Sequence, residues 1–198
     1  FYFGNMTFFK YLKFIYLKPK FFNIFKIKDI DVNLVHSKYQ FEALKSKNIK
    51  SSYLSDYIRD EYFKASKLIS IKDKKNIVCY NFSKSTIFFH RFIKLNPDIQ
   101  FLPLKNLSLN EMISTLSKSK IYMDFGYHPG QDHLPREAGL LKNCVITNKE
   151  GSASLFADVP IKNEFKFFEN YQSFKRMRKK IDTIFNNFSY ELSKFEHY

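Results

Sequence analysis

Residues 120–147 read "KIYMDFGYHPGQDHLPREAGLLKNCVIT", and this stretch decides the fold class. It starts with an apolar run typical of a buried strand, residues 120–126, and ends with a second one, residues 144–147. Between them the chain turns through a loop and enters a short helix, with Pro135 in its first turn. A strand, a helix and a second strand in this order predict two parallel strands joined by a crossover helix.

The same alternation extends upstream. The pattern predicts strands at residues 76–81, 99–104, 120–126 and 144–147, and helices at residues 83–95, 108–119 and 135–143. The helix that starts at Ser108 carries a capping box, because Glu111 follows three residues later. Strands that alternate with helices in this way predict an α/β fold with a doubly wound parallel sheet, helices covering both of its faces.

The charge of the chain suggests anionic partners. The net charge is +14, which suits nucleic acid, phosphate-bearing small molecules or an anionic membrane surface. The alternative is a biased composition rich in Lys, Asn, Ile, Phe and Tyr, with much of the charge on solvated surface. The run "KRMRKK", residues 175–180, is interpreted as a solvated helix face.

The first thirty residues and the two cysteines bear on where the protein is located in the cell. The first thirty residues mix Lys with aromatics, and they either lie on anionic lipid or pack within their own protein. The sequence contains no run of about 18 apolar residues, so it predicts no transmembrane helix. Cys79 and Cys144 lie in apolar runs, which favours two buried, reduced thiols and a reducing compartment.

Three loops follow the predicted strands at the edge where parallel sheets bind ligands. In the first, Lys84 precedes a helix, and its ammonium and the helix N-terminus together would hold a phosphate. In the third, Gly151 and Ser152 offer small side chains and backbone N–H groups. The alternative for each is an ordinary surface loop, but three such loops at one edge favour a binding site.

The middle loop carries the densest chemistry. Gly126 and Gly130 permit tight turns and close backbone approach, and Arg136 and Glu137 follow in the first helical turn. A carboxylate at a helix N-terminus stays ionised and accepts hydrogen bonds from sugar hydroxyls, whereas an arginine pairs with phosphate. The alternative is an ordinary first-turn acid beside a surface arginine.

Rival sites have less support in the sequence. His128 and His133 are five residues apart in a turn, a spacing too irregular for a clear metal pair, so no metal site is expected. The sequence has no Walker-type loop, no dinucleotide-binding glycine motif and no serine nucleophile elbow. The lack of a nucleophile motif suits a reaction that proceeds by positioning of the reactants and electrostatic stabilisation rather than through a covalent intermediate.

One stretch resembles a known family. The run "REAGLLKNCVITNKEGSA", residues 136–153, resembles the donor-binding segment of GT-B-type glycosyltransferases. The runs "YNFSKS", "NPDIQFLPL" and "IYMDFGYHPGQDHLPREAG" are similar to bacterial glycosyltransferase-like proteins from polysaccharide gene clusters. The run "NLVHSKYQFEALKSKNIKSSYLSDYI" resembles the interdomain portion of such proteins. The resemblance covers roughly residues 33–160 and is most specific around 120–154.

The resemblance implies roles for individual residues. Glu137 matches the second glutamate of the family's two-glutamate motif, which contacts the ribose of the nucleotide. Lys84 lies where a phosphate-binding lysine is expected, and the loop at Gly151 and Ser152 matches the loop near the diphosphate.

The chain departs from the motif at one position. The family's first glutamate, which contacts the donor sugar, would lie eight residues before Glu137, where this chain has Pro129. Asp132 or His128 is the candidate replacement, so the candidate catalytic residues are Glu137, Asp132 and His128.

The resemblance also implies an architecture of Rossmann-like domains, of which this chain holds one whole and one in part. The expected divisions are the end of an N-terminal acceptor-side domain (1–58), a linker (59–75), a Rossmann-like nucleotide-sugar-binding domain (76–165) and C-terminal helices (166–198). Acceptor-binding residues from the N-terminal half would then lie outside this chain.

The implied activity is that of a metal-independent glycosyltransferase without a cofactor. It would transfer a sugar from a nucleotide-activated donor to a glycan or lipid-linked acceptor in bacterial surface polysaccharide synthesis. Its expected location is the cytoplasm, with possible peripheral contact with the anionic inner face of the membrane. Two alternatives stay open: a non-catalytic nucleotide-, nucleic-acid- or anionic-surface-binding protein, and a degenerate transferase that acts as a scaffold. Nucleic acid is the less expected partner because no recognised binding motif is present.

Overall fold

The computed structural model of the chain describes residues 31, 33–195 and 198. The hypothesis that the first thirty residues lie on anionic lipid falls outside the described residues. A small unit comes first and consists of β1 (Asn33–Val35), α1 (Lys38–Lys45) and β2 (Ser51–Tyr53). Helix α2 (Asp60–Leu68) follows it.

The main unit then alternates strands and helices, as predicted. Its strands are β3 (Lys75–Asn81), β4 (Gln100–Leu104), β5 (Ser119–Asp124), β6 (Cys144–Asn148) and β7 (Lys166–Phe167). Its helices are α3 (Ile87–Lys94), α4 (Leu109–Lys118), α5 (His133–Leu140), α6 (Gln172–Asn186) and α7 (Phe188–Ser193).

The five strands of the main unit form one sheet in the order β4–β3–β5–β6–β7, and every pair in it is parallel. The predicted α/β class with a parallel sheet is therefore confirmed, and the arrangement is compatible with a Rossmann-like fold. The two-residue strand β7 was not predicted, because two residues carry no recognisable period.

Helices cover both faces of the sheet. Adjacent side chains of a strand point to opposite faces. In β3, the Cys79 thiol contacts the Thr115 carbonyl oxygen of α4, whereas the next side chain, Tyr80, packs edge-on against Phe89 of α3. Helices α3 and α4 therefore lie on opposite faces, as the doubly wound prediction requires. Both cysteines are buried and free, as predicted.

Helix boundaries follow local chemistry. The capping box is present, since the Ser108 hydroxyl accepts from the Glu111 N–H and the Glu111 carboxylate accepts from the Ser108 N–H. The helix predicted over 135–143 spans His133–Leu140 instead. Glu137 is therefore its fifth residue and does not lie in the first turn, where the sequence placed it. The helix ends early because Lys142 adopts a left-handed conformation with φ 60°, which continues no right-handed helix.

The segment predicted as a linker, residues 59–75, contains helix α2, which packs against α4 and α5. Although this segment is polar in composition, one of its residues, Tyr62, is buried. One aromatic side chain among charged neighbours carries too little periodicity to predict a helix.

The basic tail packs more closely than its composition suggested. Helix α6 buries Met177, Ile181 and Ile184 against the core. The run 175–180 is only partly a solvated face, because two of its five cations are paired with acids and Arg176 lies over the Phe167 ring. Arg178 pairs with Asp98 and Asp182, and Lys180 pairs with Glu164 and Glu191.

The small unit is attached to the main unit through a buried carboxylate. The Asp158 carboxylate accepts hydrogen bonds from the backbone N–H of Lys38 at 2.5 Å and of Tyr39 at 2.9 Å. These two residues begin α1, where N–H groups have no partner within the helix. An anion in this position satisfies the free N–H groups and is favoured by the helix dipole.

Candidate functional site

The loops after β3, β5 and β6 interlock at the carboxyl edge of the sheet. Gly126 lies so close to the loop after β3 that a Cβ atom there would be 2.4 Å from the Lys84 carbonyl oxygen. Gly151 adopts φ 58°, and a Cβ atom there would be 2.0 Å from the His128 carbonyl oxygen. Both positions need glycine for backbone-to-backbone packing, which explains these two glycines without a donor. Their role in donor binding stays a prediction.

Side chains reinforce the same packing. The Ser152 N–H donates to the His128 carbonyl oxygen at 2.9 Å, and the Ser152 hydroxyl donates to the Gly130 carbonyl oxygen at 2.6 Å. The Asn148 amide donates to the Gly126 carbonyl oxygen at 2.7 Å. The loop over residues 125–132 is thus held in one conformation by the loop after β6.

Three predicted site residues meet inside this loop. The Lys84 ammonium donates to one oxygen of Asp132 at 2.5 Å. The other oxygen of Asp132 lies 2.5 Å from the His128 Nδ1 atom, and because a carboxylate accepts, His128 is the donor. His128 is completely buried, and the Lys84 and Asp132 side chains are mostly buried. Lys84 is therefore engaged by Asp132 rather than presented to solvent.

Asp124, at the end of β5, belongs to the same cluster, and the sequence interpretation missed it. It is completely buried, and one of its oxygens accepts from the Tyr122 hydroxyl at 2.7 Å and from the Asn81 amide at 3.4 Å. The available signal was a single acid in the apolar run "IYMDF". A carboxylate rarely enters a buried strand without a specific partner.

Burial and the charges within the cluster shift the pKa values of its members. Burial disfavours the charged form of His128, but Asp124 and Asp132 outweigh burial and raise the His128 pKa. Burial would raise the pKa of Asp132, but His128 and Lys84 outweigh it and lower that pKa. Burial, together with the neighbouring Asp124 carboxylate, raises the pKa of the Tyr122 hydroxyl well above its usual range.

This cluster could also hold a metal ion. Asp124, His128 and Asp132 each offer one ligand atom, and these atoms lie within 4.8 Å of one another. The sequence interpretation had weighed His128 together with His133. Instead, the His133 Nε2 atom lies 3.2 Å from the Asp56 carboxylate.

Glu137 lies apart from this cluster, in a cleft of ≈ 500 Å³. The cleft is lined by six polar or aromatic residues and by four apolar ones: Tyr57, Arg59, Tyr62, Ser108, His133 and Glu137, with Leu107, Leu109, Met112 and Leu134. The first residues of α4 and of α5 contribute to it, so two helix N-termini flank the cleft. Of the residues that line the cleft, the sequence interpretation assigned a role in ligand binding only to Glu137.

The surroundings of Glu137 act on the pKa of its carboxyl group in two opposite directions. The residue is 8% exposed, and burial raises the pKa of the carboxyl group. The pKa is lowered by a hydrogen bond from the Tyr62 hydroxyl and by the charges of three neighbours, His133, Arg59 and Arg136. The carboxylate is thus an acceptor at the wall of a cleft.

Arg136 faces the segment before α2. Its Nη1 atom donates to the Asp56 carbonyl oxygen at 3.1 Å. The Asp56 carboxylate also approaches His36 at 3.6 Å and His133 at 3.2 Å. Arg136 therefore anchors the loop that carries Tyr57 and Arg59 into the cleft, a role that its predicted pairing with phosphate did not include.

No protein-family model matches the chain, and no curated protein matches it significantly. Among the described residues, no helix combines the length and apolar character needed to span a bilayer. The proposed relation to GT-B-type glycosyltransferases therefore stays a prediction from the sequence.

Proposed function

We propose that the chain binds a nucleotide-activated sugar in the cleft beside Glu137 and belongs to a glycosyltransferase that transfers this sugar to a glycan or lipid-linked acceptor. The observation that carries the proposal is the position of Glu137. Its carboxylate lies in the wall of a cleft large enough for a nucleoside, next to the helix N-termini that a parallel sheet presents to ligands.

The cleft offers complementary contacts for the two parts of a nucleotide. Glu137 would accept hydrogen bonds from ribose hydroxyls, while Met112, Leu109 and Leu134 would pack against the base. Arg59 and the N-termini of α4 and α5 would attract the diphosphate, since both a guanidinium and a helix N-terminus favour phosphate.

Lys84 is less available to bind phosphate than the sequence predicted, because its ammonium donates to Asp132. In the proposed enzyme, Lys84, His128 and Asp132 position the loop at the carboxyl edge of the sheet. Stabilisation of the departing nucleoside diphosphate would fall to Arg59 and the two helix N-termini. Such electrostatic stabilisation of a leaving group needs no covalent intermediate.

Substitution of Glu137 tests the proposal. Titration calorimetry of the wild-type chain with UDP, GDP, ADP and CDP should identify one nucleotide that binds. Glu137→Gln should weaken that binding at least about tenfold, the effect of losing a charged hydrogen bond worth about 1.5–3 kcal/mol. Glu42→Gln is the matched control, because Glu42 is exposed on α1 and lies outside the cleft.

Binding of no nucleoside diphosphate or nucleotide sugar by the wild-type chain would contradict the proposal. Equal affinities of wild type and Glu137→Gln would remove the assigned role of Glu137. The rival hypothesis of an anionic-surface binder has less support, because Arg178 and Lys180 of its basic run are paired with acids.

A further inference from the structure

We propose that the cluster of Asp124, His128 and Asp132 binds one divalent transition-metal cation, with the His128 Nε2 atom and the Asp124 Oδ1 atom as its ligands. This inference does not depend on the proposed nucleotide site. It departs from the metal independence that the family resemblance implies.

The two ligand atoms are buried and unsatisfied. Both residues are completely buried, and neither the Asp124 Oδ1 atom nor the His128 Nε2 atom has a hydrogen-bond partner among the described residues. A buried polar atom without a partner costs about 1–3 kcal/mol, and more if it is charged. Two such atoms belonging to one compact group point to a missing species that both of them bind.

The remaining atoms of the two side chains are already fixed. Asp132 accepts the Nδ1 proton of His128, which leaves Nε2 as the ring nitrogen available to a metal. Tyr122 and Asn81 donate to the other oxygen of Asp124. Protein metal ligands are usually oriented in this way, a histidine by a carboxylate and a ligating carboxylate by its own hydrogen bonds.

The charge of the cluster favours a cation at the same place. Lys84 compensates Asp132, but the hydrogen-bond partners of Asp124 are a hydroxyl and an amide, neither of which carries charge. A divalent cation bound to neutral His128 would supply positive charge beside Asp124, in place of an imidazolium. Imidazole combined with carboxylate suits Zn²⁺ or Mn²⁺ better than Ca²⁺ or Cu⁺, and water would complete the coordination.

Metal titration of the chelator-treated chain tests the site. The chain is given Zn²⁺, Mn²⁺ or Mg²⁺ in separate samples, both when folded and during refolding, because the ligands are buried. Zn²⁺ or Mn²⁺ should bind once per chain by calorimetry and should raise the melting temperature, since a ligand that binds the folded state stabilises it. Asp124→Asn, which keeps the shape of the side chain, should abolish both effects.

A surface site must be separated from the buried one. His36 and His133 flank Asp56 and are partly exposed, so they could bind Zn²⁺ independently. The variant with both His36→Gln and His133→Gln is therefore the control, and it should keep the wild-type response. Loss of the response in this control, with retention in Asp124→Asn, would overturn the proposal.

A measurement on the wild-type chain covers the case in which Asp124→Asn does not fold. Substoichiometric Mn²⁺ should broaden the backbone amide NMR signals of residues 124–132 before all others. Absence of any thermal response and of any broadening would show that an imidazolium or a bound water satisfies these atoms, and the proposal would fail. Broadening centred on residues 36 and 133 would overturn it as well.

Discussion

At the scale of single residues, Glu137 shows how a neighbour from another element prepares a side chain for binding. Burial raises the pKa of its carboxyl group, while the Tyr62 hydroxyl opposes this through a hydrogen bond. Tyr62 is only 3% exposed and lies on α2, in the segment that composition assigned to a linker. Tyr62 is thus a positioning residue, since it would act on a nucleotide through Glu137.

Tyr62→Phe should raise the pKa of Glu137, because it removes only the hydroxyl that favours the charged carboxylate. It should also lower the free energy of unfolding by about 1 kcal/mol, the usual net worth of one hydrogen bond. Nucleotide affinity should then be lost at a higher pH than in the wild type, since a protonated carboxyl group accepts fewer hydrogen bonds. Side-chain carbon NMR of Glu137 during a pH titration measures the pKa directly.

Tyr57→Phe is the matched control for this variant. Tyr57 also lines the cleft, but it is largely exposed and contributes nothing to the Glu137 pKa. Identical Glu137 titration curves in wild type and Tyr62→Phe would show that Tyr62 only fills space.

At the scale of elements, the junction of α4 and β5 is built around a buried lysine. The Lys74 ammonium donates to the Leu116 carbonyl oxygen at 3.1 Å and to the Ser119 carbonyl oxygen at 2.8 Å. These are carbonyls at the end of the helix, where acceptors lack partners and cations are favoured. Burial nevertheless lowers the pKa of Lys74 from 10.5 to about 7.

This pKa predicts a stability that increases with pH. Between about pH 7 and pH 10.5, Lys74 is protonated in the unfolded chain and deprotonated in the folded one. The unfolded state therefore binds one more proton, and the free energy of unfolding rises by at most about 1.4 kcal/mol per pH unit. Below pH 7 both states carry the proton, so the contribution of Lys74 to the slope disappears.

Lys74→Met should remove this dependence. The two carbonyl oxygens keep other donors, because the Ser119 hydroxyl donates to Leu116 at 3.2 Å and the Asn143 amide donates to Ser119 at 2.7 Å. Urea unfolding at pH 6, 7, 8 and 9 should show that the wild type gains stability relative to Lys74→Met above pH 7. The exposed Lys72→Met is the control, and parallel curves for wild type and Lys74→Met would contradict the prediction.

At the scale of the whole molecule, the small unit and the sheet unit are joined by few specific contacts. The buried Asp158 carboxylate, from the segment after β6, binds both N–H groups that begin α1. Arg136 and Asp56 make a second connection beside the cleft. The His133 Nε2 atom adds a contact with the Asp56 carboxylate, and the Tyr39 and Tyr127 hydroxyls lie 3.0 Å apart. The position of the small unit thus depends on a small set of polar contacts, of which the one to Asp158 is buried.

Asp158→Asn should loosen α1 without unfolding the sheet. An amide has one acceptor oxygen and no charge, so it satisfies one of the two N–H groups and loses the dipole interaction. Hydrogen exchange should accelerate at residues 38–45, while residues 76–81 of β3 stay protected, with a local cost of about 1–2 kcal/mol. Asp60→Asn, an exposed acid at the start of α2, should change neither region.

The sequence by itself determined the α/β class, because the alternation of apolar strands with helices is a local signal. It also determined the capping box at Ser108 and the two buried cysteines, since each depends on residues close together in the chain. The role of Glu137 stays a prediction. Local signals failed at two places, since they put the end of α5 too late and predicted a linker where the chain forms α2.

Only the tertiary structure decided which polar residues act together. Lys84 and Asp132 are 48 positions apart, and Tyr62 and Glu137 are contributed by different helices, so no spacing rule could pair them. The parallel order β3–β5–β6 brings the three loops to one edge, where they pack on each other. The physical reason is that burial and charge pairing depend on distance in space. The stretch 120–147 therefore predicted the sheet, whereas the fold separated its acids into a buried cluster and a cleft.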